Sequence, residues 1–80
     1  MELLQFIKDE GYTEARFVLI DGKGCCLNLH EIYTNDQFLH HLKLVPTLVH
    51  YFPLEREPYI ECIENERTMK IKLIKGSVLI

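Results

Sequence analysis

The chain has 80 residues, with nine basic and twelve acidic side chains and a formal net charge of −3 at pH 7. This length predicts one domain over residues 1–80, and the acidic balance argues against broad nonspecific nucleic-acid binding, which needs clustered positive charge. Because the sequence has no run of 18 apolar residues and no basic-then-apolar leader, we expect no membrane span and a cytoplasmic protein.

The apolar residues of the chain are mostly large. The hydrophobic fraction is 48%, yet Ala15 is the only alanine. A chain of this length buries only roughly 60–65% of the surface that it exposes when unfolded. We therefore expect some of the large apolar side chains to face another protein chain.

The first predicted helix covers residues 2–10. Apolar residues at positions 3, 4, 6 and 7 share one side of it, while positions 2, 8, 9 and 10 are polar. Gly11 follows as a residue that accepts the left-handed conformation at a helix end. So short a helix is not stable alone, so we expect it to pack on the rest of the domain.

A hairpin is predicted next, with strands over residues 14–20 and 25–30 joined by the glycine-containing turn 21–24. A turn centred on Gly22-Lys23 predicts three pairs on one face: Ile20 with Cys25, Val18 with Leu27, and Arg16 with Leu29. The other face is predicted to carry Phe17, Leu19 and Cys26. A strand that is apolar on both sides is usually covered on both sides. The second cover is expected to be the other helix or a second subunit.

The second predicted helix begins after Thr34. Thr34 and Gln37 have the spacing of a capping box, and Asp36 suits the positive end of the helix dipole. The helix is predicted to run to about Leu44. Pro46 disfavours helical backbone at the residue before it and so helps to end the helix.

The C-terminal part predicts three strands. Residues 47–52 form one strand, residues 53–58 a connection, and residues 57–73 a hairpin that turns at Asn65-Glu66. Opposite charges and apolar partners then face each other: Glu64 with Arg67, Glu61 with Lys70, Cys62 with Met69, and Ile60 with Ile71. The strand at 47–52 is expected to place His50 near Glu61 and Tyr51 near Ile60.

The predicted element order is α-β-β-α-β-β-β. Short connections favour antiparallel neighbours, so we predict a small α+β domain. It consists of a mostly antiparallel sheet with two short helices packed on it.

No pattern of catalytic residues is present. Paired carboxylates at a useful spacing, a phosphate-binding glycine loop and a Ser/His/Asp order are all absent from the sequence, so we predict neither an enzyme nor a cofactor. The adjacent thiols Cys25 and Cys26 lack metal-ligand spacing, and packing is their expected role, with no metal. A reactive thiol or metal site at these cysteines remains a third hypothesis.

The excess of large apolar residues predicts a noncatalytic protein-interaction or regulatory module. Its partners are expected to be itself, as a homo-oligomer, and another, unidentified protein. The candidate interaction residues are the second face of the first hairpin and the apolar C-terminus: Phe17, Leu19, Cys26, Val78, Leu79 and Ile80.

The alternative hypothesis is nucleic-acid binding by a basic strand at residues 67–75. Its candidate residues are Arg67, Lys70, Lys72 and Lys75. Lys70 and Lys72 are expected to share a face and could contact phosphates. Because Glu61 and Glu64 on the opposing strand offset these charges, the sequence favours the protein partner.

Overall fold

The computed structural model describes residues 2–76 and shows the predicted α+β fold with the predicted order of helices and strands. A short 3-10 turn, Leu29–Glu31, follows the second strand. The elements are α1 Leu3–Asp9, β1 Glu14–Val18, β2 Gly24–Asn28, α2 Asn35–Leu42, β3 Leu48–Phe52, β4 Tyr59–Glu64 and β5 Arg67–Ile74. The strands form one sheet in the order β2-β1-β5-β4-β3, and every pair of neighbours is antiparallel.

The hydrophobic core lies between one face of the sheet and the helices. Along β5, buried residues alternate with exposed ones, because successive strand residues point to opposite faces. Strand residues on the helix side include Ala15, Phe17, Ile60, Cys62, Met69, Ile71 and Leu73. The helices add Leu3, Leu4, Ile7, Phe38 and Leu42 to the same cluster. The alternate residues of the strands, which are exposed or half-buried, form the opposite face of the sheet.

Both predicted helix signals are confirmed. Gly11 has a φ of 90° directly after the C-cap of α1. The Thr34 hydroxyl accepts a hydrogen bond from the Gln37 N–H at 3.1 Å, and Gln37 Oε1 accepts from the Thr34 N–H at 3.3 Å. Helix α2 ends at Leu42, two residues before the predicted end, since Lys43 adopts the left-handed conformation with φ 58°. The helix therefore stops before Pro46 can affect it.

The predicted register of the C-terminal hairpin is confirmed at all four pairs. The turn places Asn65 at a φ of 54°, a conformation that asparagine tolerates. The two pairs expected between β3 and β4, His50 with Glu61 and Tyr51 with Ile60, are also present.

The predicted register of the first hairpin is wrong. Phe17 pairs with Cys25, Arg16 with Cys26 and Val18 with Gly24. Strand β1 ends at Val18, and the Leu19 N–H donates to the Lys23 carbonyl at 2.8 Å, so the turn closes earlier than predicted. The register differs by an odd number of residues, which reverses the faces of one strand relative to the other. Phe17 therefore faces the core, and Cys26 lies on the opposite face.

A test of the core arises at Cys62, which is fully buried. Burial raises the pKa of this thiol to about 11. In the unfolded chain this thiol ionises at a lower pH than in the folded protein. The unfolding free energy therefore does not depend on Cys62 ionisation below the unfolded pKa of ~9, and it falls as the pH rises from there towards ~11. Between pH ~8 and pH ~10.5 we expect the native protein to lose on the order of 2 kcal/mol more unfolding free energy than Cys62→Ala. Urea titrations of both proteins would measure the difference, and identical pH profiles would contradict it.

Candidate binding site on the open sheet face

The sheet face opposite the helices is not covered by any element among residues 2–76. Val18 on this face is 62% exposed, and Arg16, Cys26, Lys70 and Lys72 are exposed as well. An open groove of about 960 Å³ crosses the part of this face formed by β2, β1 and β5, next to the connection before β4. We refer to it as the basic groove, because of the residues that line it.

Basic residues predominate in the lining of the basic groove. Five of the nine basic residues line it, together with only one of the twelve acidic residues, Glu57. The five are Arg16, Arg56, Lys70, Lys72 and Lys75. The rest of the chain carries four basic and eleven acidic residues. An acidic protein thus has one region of opposite charge, and its apolar lining includes Val18 and Ile74.

Two exposed ion pairs lie at the groove. The Lys72 Nζ is 3.6 Å from Glu57 Oε2, and an Arg16 guanidinium nitrogen is 3.3 Å from Glu14 Oε2. The pKa of Arg16 lies above its ordinary value because the guanidinium interacts with Cys26 and also with Glu14. Exposed pairs of this kind contribute at most about 1 kcal/mol to stability, so an incoming carboxylate can replace Glu14 or Glu57 as the partner.

Lys70 borders the groove against a row of aromatic rings. Its Nζ lies 4.0 Å from the centre of the Tyr59 ring, and Tyr59 stacks on Phe52 with 4.6 Å between ring centroids. Strand β4 lies between β5 and β3, so Lys70 and Phe52 cover opposite faces of Tyr59. The pKa of Tyr59 is raised by desolvation and by the charges of Glu61 and Glu55. Tyr59 is therefore not free to stack on a nucleobase.

The four residues of the nucleic-acid hypothesis do not form one stripe. Lys70 and Lys72 share the open face, as predicted. Arg67 lies at the start of β5 opposite Glu64, outside the groove. Lys75 lines the end of the groove, with its Nζ 5.3 Å from the ring centre of the buried Tyr12. The basic cluster in the structure instead adds Arg16 and Arg56, which the sequence analysis did not include.

Pairing of distant strands explains why Arg16 was missed. Arg16 pairs with Lys72 across the contact between β1 and β5, strands that are far apart in the sequence. No local signal in the sequence indicates this contact. The sequence could indicate only that Arg16 and Lys72 are each exposed on a strand, and not that the two strands are neighbours.

The candidate interaction residues are distributed over different surroundings. Phe17 is only 4% exposed and belongs to the core, and Leu19 is partly buried against that core. Cys26 lies in the basic groove. The remaining candidates, Val78, Leu79 and Ile80, lie outside the described residues. The predicted surface of Phe17, Leu19 and Cys26 on one face is thus corrected, because the first hairpin has a different register.

The three cysteines have different exposures: Cys25 is half-buried, Cys26 exposed and Cys62 buried. The Cys26 Sγ lies 3.8 Å from Glu14 Oε2. Within residues 2–76, no three histidine, cysteine or acidic side chains come together as a metal site requires. The hypothesis of a reactive thiol at Cys25 or Cys26 stays a prediction.

Neither helix in the described part of the chain is long and apolar enough to cross a membrane. Comparison with protein-family models, curated proteins and solved structures finds no match to this chain.

Proposed function

We propose that this protein is a noncatalytic, self-associating interaction module that binds an acidic segment of another protein along the basic groove. The observation that carries the proposal is the separation of charge: five basic residues and one acidic residue line the groove of a chain whose net charge is −3. Complementary charge brings a partner into register and suppresses partners of the wrong sign. A segment with spaced carboxylates and small apolar residues fits this lining.

The contacts of the groove support a segment that lies across the sheet. Arg16 and Lys72 are direct neighbours on β1 and β5, and their two ion pairs are exposed. Val18 and Ile74 provide apolar contact beside these charges. The groove is open to solvent, so the partner is expected to bind as an extended chain and to keep part of its surface in water.

Nucleic-acid binding in the same groove is the second candidate, favoured by the neighbouring cations Arg16, Lys70 and Lys72. Two features weigh against it. Tyr59 is covered by Lys70 and Phe52, so the base stacking that supports single-strand binding has no free ring there. The remaining chain, with eleven acidic and four basic residues, repels a long polyanion.

Fluorescence anisotropy with three labelled probes tests the proposal. The probes are a short peptide of alternating glutamate and valine, the same peptide with lysine for glutamate, and an oligothymidylate of equal length. We expect the glutamate peptide to bind with a Kd on the order of 10–100 μM at low salt, the lysine peptide not to bind, and the oligothymidylate to bind more weakly. Tighter binding of the oligothymidylate would favour the second candidate. Binding of none of the three probes would contradict both.

A further inference from the structure

Strand β3 forms one edge of the sheet, and its edge is apolar. Three large apolar side chains in and just before it are exposed: Val45 at 63%, Leu48 at 50% and Val49 at 38%. Residues 44–54 contain no lysine, arginine, aspartate or glutamate. Proteins usually protect an edge strand with charge, because unpaired backbone groups there invite another strand. The sequence of β3 lacks that protection.

The hydrogen-bond pattern of β4 with its two neighbours shows which backbone groups of β3 have no partner in the sheet. The Leu73 N–H donates to the Pro58 carbonyl at 2.9 Å, so alternate residues of β4 from Pro58 onwards bond to β5. The residues between them face β3, and their partners there include His50. The N–H and C=O groups of Val49 and Tyr51 therefore point away from β4, on the side where residues 2–76 contribute no further strand.

We infer that a second copy of the chain pairs its own β3 antiparallel to this edge, about a twofold axis at His50. Leu48 then lies opposite Phe52 of the second copy, and Val49 lies opposite Tyr51 of the second copy. The product is one continuous sheet of ten strands. This inference rests on the self-association in the proposed function and is independent of the basic groove.

The sequence of β3, Leu-Val-His-Tyr-Phe, is complementary to itself in this arrangement. Each aliphatic residue meets an aromatic one, a favourable type of cross-strand pair. With the axis at His50, all five residues of one strand lie opposite the five of the other. A shifted register brings Pro46 or Pro53, which lack an N–H, opposite the strand. The edge itself is held in place, since the Tyr51 hydroxyl is 2.9 Å from that of Tyr12.

The other edge strand, β2, is a weaker candidate. It is also uncharged, but its sequence Gly-Cys-Cys-Leu-Asn includes glycine and asparagine, which disfavour strands. It carries none of the large exposed apolar side chains found among the described residues. An interface of five residues on each side buries less than about 1,200 Å², so we expect a reversible dimer that forms at high protein concentration.

Disulfide trapping tests the register. In the variant Cys25→Ser, Cys26→Ser, His50→Cys, the two introduced thiols face each other across the axis, with Cα atoms about 4.5 Å apart, within the range that a disulfide spans. The matched control, Cys25→Ser alone, keeps one exposed cysteine at position 26 on the other edge. Mild oxidation should give covalent dimer mainly from the His50→Cys protein. Equal cross-linking in both proteins, or more in the control, would overturn the inference.

A second experiment separates the backbone from the side chain at the edge. Val49→Pro removes an outward N–H, which an edge strand tolerates, whereas Val49→Ala removes most of the same side chain and keeps the N–H. Sedimentation equilibrium should show at least a tenfold weaker dimer for Val49→Pro than for Val49→Ala, with unchanged circular dichroism and unchanged binding of the glutamate peptide. Equal dimerisation of both variants would contradict the β3 pairing. If the native protein did not bind the glutamate peptide, that result would contradict only the proposed role of the basic groove.

Discussion

Phe38→Ala should remove a large share of the stability of the protein. Phe38 is 0% exposed in the middle of α2, and truncating a buried phenylalanine costs about 3–5 kcal/mol, from lost apolar burial and the cavity left behind. A domain of 80 residues has a total stability of roughly 4–12 kcal/mol. Urea titration followed by circular dichroism should therefore show a midpoint lowered by at least about 1 M, and a native stability at the low end of this range would leave the variant unfolded without urea.

Leu54→Ala provides the matched control for that experiment. Leu54 is a large apolar residue that is 97% exposed in the connection between β3 and β4. A substitution there should change the unfolding free energy by no more than about 0.5 kcal/mol. If the two variants had similar midpoints, the helix α2 would not be packed on the sheet as the structure shows.

The parts of the fold that the sequence predicted correctly depend on contacts between residues close in the chain. The β4–β5 hairpin has one register in which Glu61 meets Lys70 while Ile60 meets Ile71, and a shift by one residue would place buried side chains in solvent. The start of α2 depends on Thr34 and Gln37, three positions apart. Each of these features can be judged from a short window of sequence.

The first hairpin lacks such a unique local solution. Gly22 and Gly24 both permit a turn, and apolar residues on each side of it make several registers acceptable. The structure selects one register through a contact distant in sequence, since β1 also pairs with β5 and its Ala15 and Phe17 face the core. An error in this register exchanged the faces, and the prediction that Phe17 and Cys26 share one face was therefore wrong.

The basic groove was beyond local sequence analysis for the same reason. It combines Arg16 of β1, Lys70 and Lys72 of β5, and Arg56 from the connection before β4. Only the pair on β5 could be placed on one face from the sequence. The charge of the chain as a whole indicated the opposite sign, because most acidic residues lie away from the groove.

Lys72→Glu should weaken binding of the glutamate peptide by at least about 30-fold, which corresponds to about 2 kcal/mol. The substitution replaces an attractive charge beside Arg16 with a repulsive one and leaves Glu57 without its partner at 3.6 Å. The Lys72 side chain is 54% exposed, so the fold should lose no more than about 1 kcal/mol. Anisotropy titrations at constant ionic strength would measure the affinity, and urea titrations the stability.

Lys23→Glu separates a local effect from one of net charge. Lys23 is exposed in the turn between β1 and β2 and does not line the groove, yet its substitution changes the net charge by the same amount. An exposed charge that does not line the groove is partly screened by salt, so affinity for the peptide should fall clearly less than it does with Lys72→Glu. Equal weakening by both substitutions would mean that the peptide responds to the total charge of the protein. A loss confined to Lys72→Glu would place the acidic segment in the groove, because only there do Arg16 and Lys72 act on the same carboxylates.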